Sequence, residues 1–303
     1  MTELRGVCVI SLTPFDTDGA VDLPSLANLL EFYIKAGVHG VTLLGIMGEA
    51  NRLTEAERDQ VVQATMETVA GRVPVIVGCS AAGTHQAVTY VKRAAAAGVD
   101  AVMVAPPNQI RQLDLVVDHF ERVGAASDLP LVVQDEPVTT GVVLPPSFFE
   151  QVVTRVPTAC AVKVEESPTL PKISRIREVT GDRLTLFGGL GGMYFFEELE
   201  RGAAGIMTGF AYPDLLVAIY EAHQKGDKAA ARSLFYQYLP LIRYEAQLGV
   251  TGVAIRKLAY KARGAIASAY VRPPAPTVDR RTLRELVDIA QHLGLTDLEE
   301  ARL

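Results

Sequence analysis

The sequence predicts an α/β chain folded as a (β/α)8 barrel of the TIM-barrel class over residues 1–225, with a C-terminal helical appendage over residues 226–303 packed on the barrel. Three observations predict it. Short, β-branched apolar runs alternate with amphipathic helical stretches eight times. The connections between them are short enough to force right-handed parallel crossovers. From about Gly226 the alternation gives way to helices alone. A doubly wound open sheet is the competing layout, but it usually carries a glycine-rich phosphate turn after its first strand. Ser11-Leu12-Thr13-Pro14 is not such a turn.

The first strand is Gly6 to Ser11, left through Thr13-Pro14-Phe15 and the turn residues Asp16-Thr17-Asp18-Gly19. A helix follows over Leu23 to Ala36, then a second strand over Gly37 to Gly45. Thr54-Glu55-Ala56-Glu57 has the spacing of a capping box, in which hydroxyl and carboxylate satisfy each other's backbone N–H groups. The helix it opens runs to about Ala70. The alternation continues with strand Val73 to Val77, helix Thr84 to Ala97, strand Ala101 to Val104 and helix Leu113 to Ala126. Strand Leu129 to Val133, helix Pro146 to Arg155, strand Ala159 to Lys163 and helix Leu170 to Val179 come next. Strand Leu184 to Phe187, helix Met193 to Arg201, strand Gly205 to Thr208 and helix Asp214 to Lys225 complete the barrel. In the appendage, Pro273-Pro274-Ala275-Pro276 forms a stiff link before the last long helix.

With 49% hydrophobic and 21% charged residues in 303, the chain has an ordinary globular composition. Its net charge of -6 comes without a Lys/Arg stripe, which excludes the phosphate-neutralising surface of a nucleic-acid binder and points to a small-molecule partner. Apolar runs are broken well before the roughly 18 residues of a membrane span. Met1-Thr2-Glu3 lacks the basic start of a signal segment, so no membrane association and a cytoplasmic location are expected. Cys8, Cys79 and Cys160 each fall inside an expected strand, as free thiols that serve as small core hydrophobes in a reducing compartment.

In such a barrel the active site forms where strands end and loops begin. That leaves Ser11 and Thr13, Gly45 to Glu49, Gly78 to Ser80, Ala105 to Asn108, Gln134 to Pro137, Lys163 and Glu165, Gly188 to Gly191, and Thr208 to Pro213. Lys163 is the only lysine in this set, whereas Lys35, Lys92, Lys225 and Lys228 sit on or just beyond helices. It closes the apolar run Cys160-Ala161-Val162. A buried ammonium needs a partner or loses its proton, and a neutral amine facing a carbonyl forms Schiff bases. Residues i and i+2 of a strand face the same way, so Lys163 and Glu165 both point into the barrel mouth. Burial favours the neutral amine and the carboxylate favours the charged one; a purely structural ion pair is the alternative reading. Metal chemistry needs several ligands converging at strand ends. Only His85 is near one; His119, His223 and His292 fall in helices and His39 precedes a strand at the opposite face. No metal and no cofactor are expected.

These residues resemble the dihydrodipicolinate synthase / N-acetylneuraminate lyase family of Schiff-base lyases over nearly the whole chain. The likeness is carried by Thr13-Pro14-Phe15 with Gly19 and Asp22, Gly45-Ile46-Met47-Gly48-Glu49 with Leu53-Thr54 and Glu57-Arg58, Lys163, the segment Gly202 to Thr208, and Arg272-Pro273-Pro274. The resemblance implies that Lys163 forms an imine with a 2-oxo acid and that the Gly45 to Glu49 loop holds its carboxylate. It also implies a homo-oligomer, tetramer or dimer.

The departures redirect the expected activity. Ile46 and Met47 replace two threonines, leaving backbone N–H groups alone to meet a carboxylate. Gln134-Asp135-Glu136-Pro137 replaces a proton-relaying tyrosine, and an amide cannot act as acid or base. Thr139 stands for an arginine that holds the synthase's aldehyde substrate, and Pro107-Asn108 for an interface tyrosine pair. The Gln-Asp-x-Pro turn and Lys-x-Glu strand end are similar to the 2-keto-3-deoxy sugar-acid dehydratase branch, especially L-2-keto-3-deoxyarabonate dehydratases. The resemblance therefore implies a cofactor-free lyase that dehydrates such an acid. An aldolase of the same family and a non-catalytic metabolite-binding barrel are the alternatives. The catalytic candidates are Lys163, Glu165 and Gln134; the substrate-binding candidates are Gly45, Ile46, Met47, Gly48, Glu49, Gly188 and Thr208. Glu49 has the further reading of fastening its own loop, and Gly45 and Gly48 of supplying positive φ or close packing.

Overall fold

The computed structural model describes residues 4–108, 110–247 and 250–298. Eight parallel strands close into a barrel in sequence order: β1 (Gly6–Ile10), β2 (Gly40–Leu43), β3 (Val75–Gly78), β4 (Ala101–Val104), β5 (Leu131–Asp135), β6 (Ala159–Val164), β7 (Thr185–Gly188) and β8 (Gly205–Thr208). β8 closes the ring by pairing with β1, Val9 opposite Thr208. The first four helices are α1 (Leu23–Lys35), α2 (Glu55–Val69), α3 (Thr84–Ala96) and α4 (Leu113–Gly124). A short α5 (Pro137–Thr140) precedes α6 (Pro146–Arg155), α7 (Thr169–Thr180), α8 (Phe195–Glu200) and α9 (Pro213–Gln224). The C-terminal region adds α10 (Lys228–Glu245), α11 (Val250–Ala262) and α12 (Arg280–His292).

Alternation along the strands divides the core in two. Leu4, Cys8, Ile10, Ile76, Ala101, Met103, Val132, Ala161, Phe187 and Met207 fill the barrel interior and form a floor beneath its mouth. The residues between them, such as Val7, Val9, Val102, Val133, Val162 and Ile206, face the helices in a larger outer core. Each fully buried side chain of this size contributes about 1.5–3 kcal/mol. The Thr54 hydroxyl accepts from Glu57 N, and the Glu57 carboxylate accepts from Thr54 N at 2.8 Å, completing the capping box that opens α2. The three cysteines are free.

Several element bounds differ from the sequence reading, most tellingly around β5 and at β2. β5 begins and ends two residues later than Leu129 to Val133, because its polar end is not a loop. Gln134 faces the barrel mouth and bonds Glu165, while Asp135 turns outward to meet Lys172 of α7 at 2.7 Å, so both polar residues find partners on either side of the strand. The turn expected after it is instead the single-turn α5, capped by Glu136 Oε2 accepting from Thr139 N at 2.8 Å. β2 starts only at Gly40, because His39 leaves the strand to accept a hydrogen bond from Val7 N through Nδ1 at 3.2 Å, at the far end of the barrel from Lys163.

Candidate active site

Lys163 of β6 and Gln134 of β5 are register partners, so their side chains share the inner face. Glu165 follows β6 and stays in line with the sheet, its N–H donating to Asp135 O at 2.9 Å. Lys163 is 5% exposed. Its Nζ lies 2.8 Å from Glu165 Oε2, and the same oxygen accepts from Gln134 Nε2 at 2.9 Å. Glu165 Oε1 accepts from Leu190 N at 3.3 Å, and its Cγ lies so close to Gly189 that a β-carbon there would overlap it. Three of the eight strand ends singled out from sequence, those of β5, β6 and β7, thus meet on one carboxylate.

A cavity of about 130 Å³ opens over this cluster, lined among others by Ile46, Met47, Gln134, Lys163, Glu165 and Thr208. A second cavity of about 490 Å³ adjoins it, sharing Ile46, Gln134, Glu136 and Thr139 and reaching Ser80 and Asn108. Ile46, at the shared rim, and Val138, on the smaller cavity, stand exposed and make the entrance apolar.

In the Gly45 to Glu49 loop the structure selects among the expected readings. Positive φ falls on Leu44 (54°), just before the loop, and on its last residue Glu49 (51°), not on Gly45 or Gly48. The two glycines serve close packing: a β-carbon would come within 3.1 Å of Ile10 at Gly45 and 3.2 Å of Ser11 O at Gly48. The N–H groups of Gly48 and Glu49 donate to Gly45 O at 3.1 Å and Ile46 O at 3.0 Å, inside the turn itself. Glu49 points away from the cavity. Its carboxylate, 1% exposed, meets Lys257 at 2.6 Å and Arg52 at 2.8 Å and accepts from Arg272 N at 3.0 Å. Glu49 therefore fastens the loop, through cations and one N–H from the C-terminal region. Gly188 also lies outside the cavity, where a β-carbon would overlap the carboxylate of Glu198 on α8.

Arg256 escaped the sequence reading. It projects from α11 into the cavity that holds Lys163, 5% exposed, with Nη1 3.1 Å from Met47 Sδ and Nε 3.8 Å from Glu245 Oε2. Burial lowers its pKa from the ordinary guanidinium value, and burial also pushes Glu245 up to about 7 against the pull of Arg256. A signal existed: in Gly252-Val253-Ala254-Ile255-Arg256-Lys257-Leu258 two cations interrupt an otherwise apolar helix. Lys172 and Lys257 are also buried, so burial alone does not distinguish Lys163; facing the cavity does. Among the described residues no three His, Cys, Asp or Glu side chains cluster as metal ligands, and no helix is long and apolar enough to cross a membrane.

Comparison with known proteins gives a consistent neighbourhood. The family model described as the dihydrodipicolinate synthetase family matches residues 3–293. The chain is similar to an L-2-keto-3-deoxyarabonate dehydratase of Azospirillum brasilense, 30% identical over 95% of this chain and 94% of the relative. Its structure is similar to a dihydrodipicolinate synthase from Rhodopseudomonas palustris, with TM-score 0.89, 36% identity and coverage of 95% of this chain and 97% of that one. It is also similar to a prophage protein of the dihydrodipicolinic acid synthase family from E. coli K12 solved with pyruvate, with TM-score 0.89, 26% identity and coverage of 97% and 100%.

Proposed function

The chain belongs to the dihydrodipicolinate synthetase family and is a lyase, and from this premise we propose that it binds a 2-oxo acid as an imine on Lys163 and removes water from a 2-keto-3-deoxy sugar acid or a similar substrate. The observation that carries the proposal is the shared oxygen: Glu165 Oε2 receives both Lys163 Nζ and Gln134 Nε2 beneath the cavity. The amine attacks the C2 carbonyl and water leaves, forming the imine. The imine acidifies C3, and Glu165 takes a C3 proton as the electron pair moves toward nitrogen. The enamine then expels the C4 hydroxyl, with the proton held by Glu165 returned to it as water leaves. Hydrolysis of the imine frees the product and restores Lys163. Gln134 orients Glu165 and takes no proton, which suits dehydration better than carbon-carbon cleavage, where the C4 hydroxyl must be deprotonated.

The dehydratase relative and the pyruvate-bound neighbour support this substrate class. The test is incubation with L-2-keto-3-deoxyarabonate and related 2-keto-3-deoxy acids, followed by mass spectrometry. Loss of one water without free pyruvate is expected; release of pyruvate would replace the dehydratase reading with an aldolase. The proposal extends to a cytoplasmic homo-oligomer, dimer or tetramer, as the family resemblance implies. Light scattering that finds a monomer, or fractionation that finds the protein outside the cytoplasm, would remove that extension.

A further inference from the structure

Arg256 is the charged side chain at the barrel mouth to which the reading above gives no task. Its partners are poor. Nη1 meets the thioether of Met47 at 3.1 Å, a weak acceptor. Nε makes no hydrogen bond, and Glu245 Oε2, 3.8 Å away, is beyond hydrogen-bond reach and already accepts from Ala211 N at 2.9 Å. Burying a guanidinium with donors unused is costly, and its planar fork matches a carboxylate. The adjacent Gly45 to Glu49 loop is short of side-chain donors: Ile46 and Met47 carry no hydroxyl and offer only backbone N–H groups, while those of Gly48 and Glu49 are bonded within their turn. Arg256 and Lys163 line one cavity of about 130 Å³.

We propose that Arg256 clamps the carboxylate of the 2-oxo acid against the Gly45 to Glu49 loop, in place of the missing hydroxyls, so that the C-terminal helical region supplies a specificity-determining residue to the barrel's site. The choice of substrate class rests on the Lys163 reading under Proposed function. The oxo carbon faces Lys163 and the carboxylate faces Arg256, while the rest of a longer substrate passes Ile46 and Gln134 into the adjoining cavity.

The test is titration calorimetry of pyruvate and of its neutral ester, methyl pyruvate, against the wild type, Arg256→Met and Arg256→Lys, with folding checked by circular dichroism. Arg256→Met is expected to weaken pyruvate roughly 10- to 100-fold, the usual effect of losing a charged hydrogen-bonded partner, and to leave methyl pyruvate unchanged. Arg256→Lys, which keeps the charge and loses the fork, is expected to weaken pyruvate by less. Unchanged pyruvate affinity in both variants overturns the assignment. Equal weakening of acid and ester also overturns it, because Arg256 would then be packing the site. Borohydride trapping run in parallel reads Lys163 separately. Arg256-dependent pyruvate binding without trapping would sink the imine reading alone; trapping with Arg256-independent affinity would sink this inference alone.

Discussion

Glu165 Oε2 is shared by Lys163 and Gln134, so a change at this carboxylate reaches both neighbours. Glu165→Gln keeps the shape and removes the proton acceptor. If Glu165 is the base, the variant still forms a pyruvate adduct while dehydration slows about 10²- to 10⁴-fold, the usual share of a general base. Single-turnover kinetics read the two steps apart, and dehydration kept near the wild-type rate would leave Glu165 only the task of holding the lysine. Lys163, Gln134 and Glu165 were legible in the sequence because strand parity places i and i+2 on one side and neighbouring strand ends side by side. Arg256 was not: the apolar residues around it in α11 signal burial, but nothing local reveals which distant strand end it meets. Helical arginines usually lie on the surface, and only the three-dimensional packing of the C-terminal region overrides that expectation.

At the scale of elements, the loop after β2 is held by the C-terminal region as well as by its own backbone turn. Lys257 of α11, also bonded to Tyr270 O at 2.8 Å, meets Glu49; Arg272 donates to Arg52 O at 2.9 Å and pairs with Glu57; Arg52 donates to Pro274 O at 2.8 Å. Removing one member of a buried ion pair strands the other. Lys257→Met is therefore expected to cost about 3 kcal/mol, the low end for such a break because Arg52 still faces Glu49. The double variant Lys257→Met/Glu49→Gln should cost clearly less than the sum of the two single changes. Urea denaturation of all four proteins checks this, and additive costs would show that the pair is not coupled. The strands and most helices were legible from periodicity, but the polar end of β5 and the single-turn α5 were not. Their polar residues look like loop until Lys172 and Lys163 with Glu165 are seen on the two sides of the strand.

For the whole molecule, the eightfold alternation was enough to expect a closed barrel, while the tie between its mouth and the C-terminal helices lay in long-range contacts. The barrel wall also carries a pH dependence. Burial pushes Glu198 up to about 8, with Thr169 Oγ1 donating to it at 2.8 Å and its second oxygen against Gly188. An unfolded glutamate titrates at about 4.3, so between that value and about 8 the folded chain holds a proton that the unfolded chain has released. The stabilising contribution is full at low pH and is lost as pH rises through about 8. Glu198→Gln removes this titration, so its melting temperature relative to wild type should rise between acidic and mildly alkaline pH; a constant difference would contradict the buried, protonated state. The central claim is more direct to test. Intact-protein mass is measured after pyruvate and borohydride for the wild type and Lys163→Ala. One reduced pyruvate adduct on the wild type, absent from Lys163→Ala, is the predicted result. No adduct on the wild type, or an adduct that survives in Lys163→Ala on another buried amine such as Lys172 or Lys257, would contradict the assignment of Lys163 as the imine-forming residue.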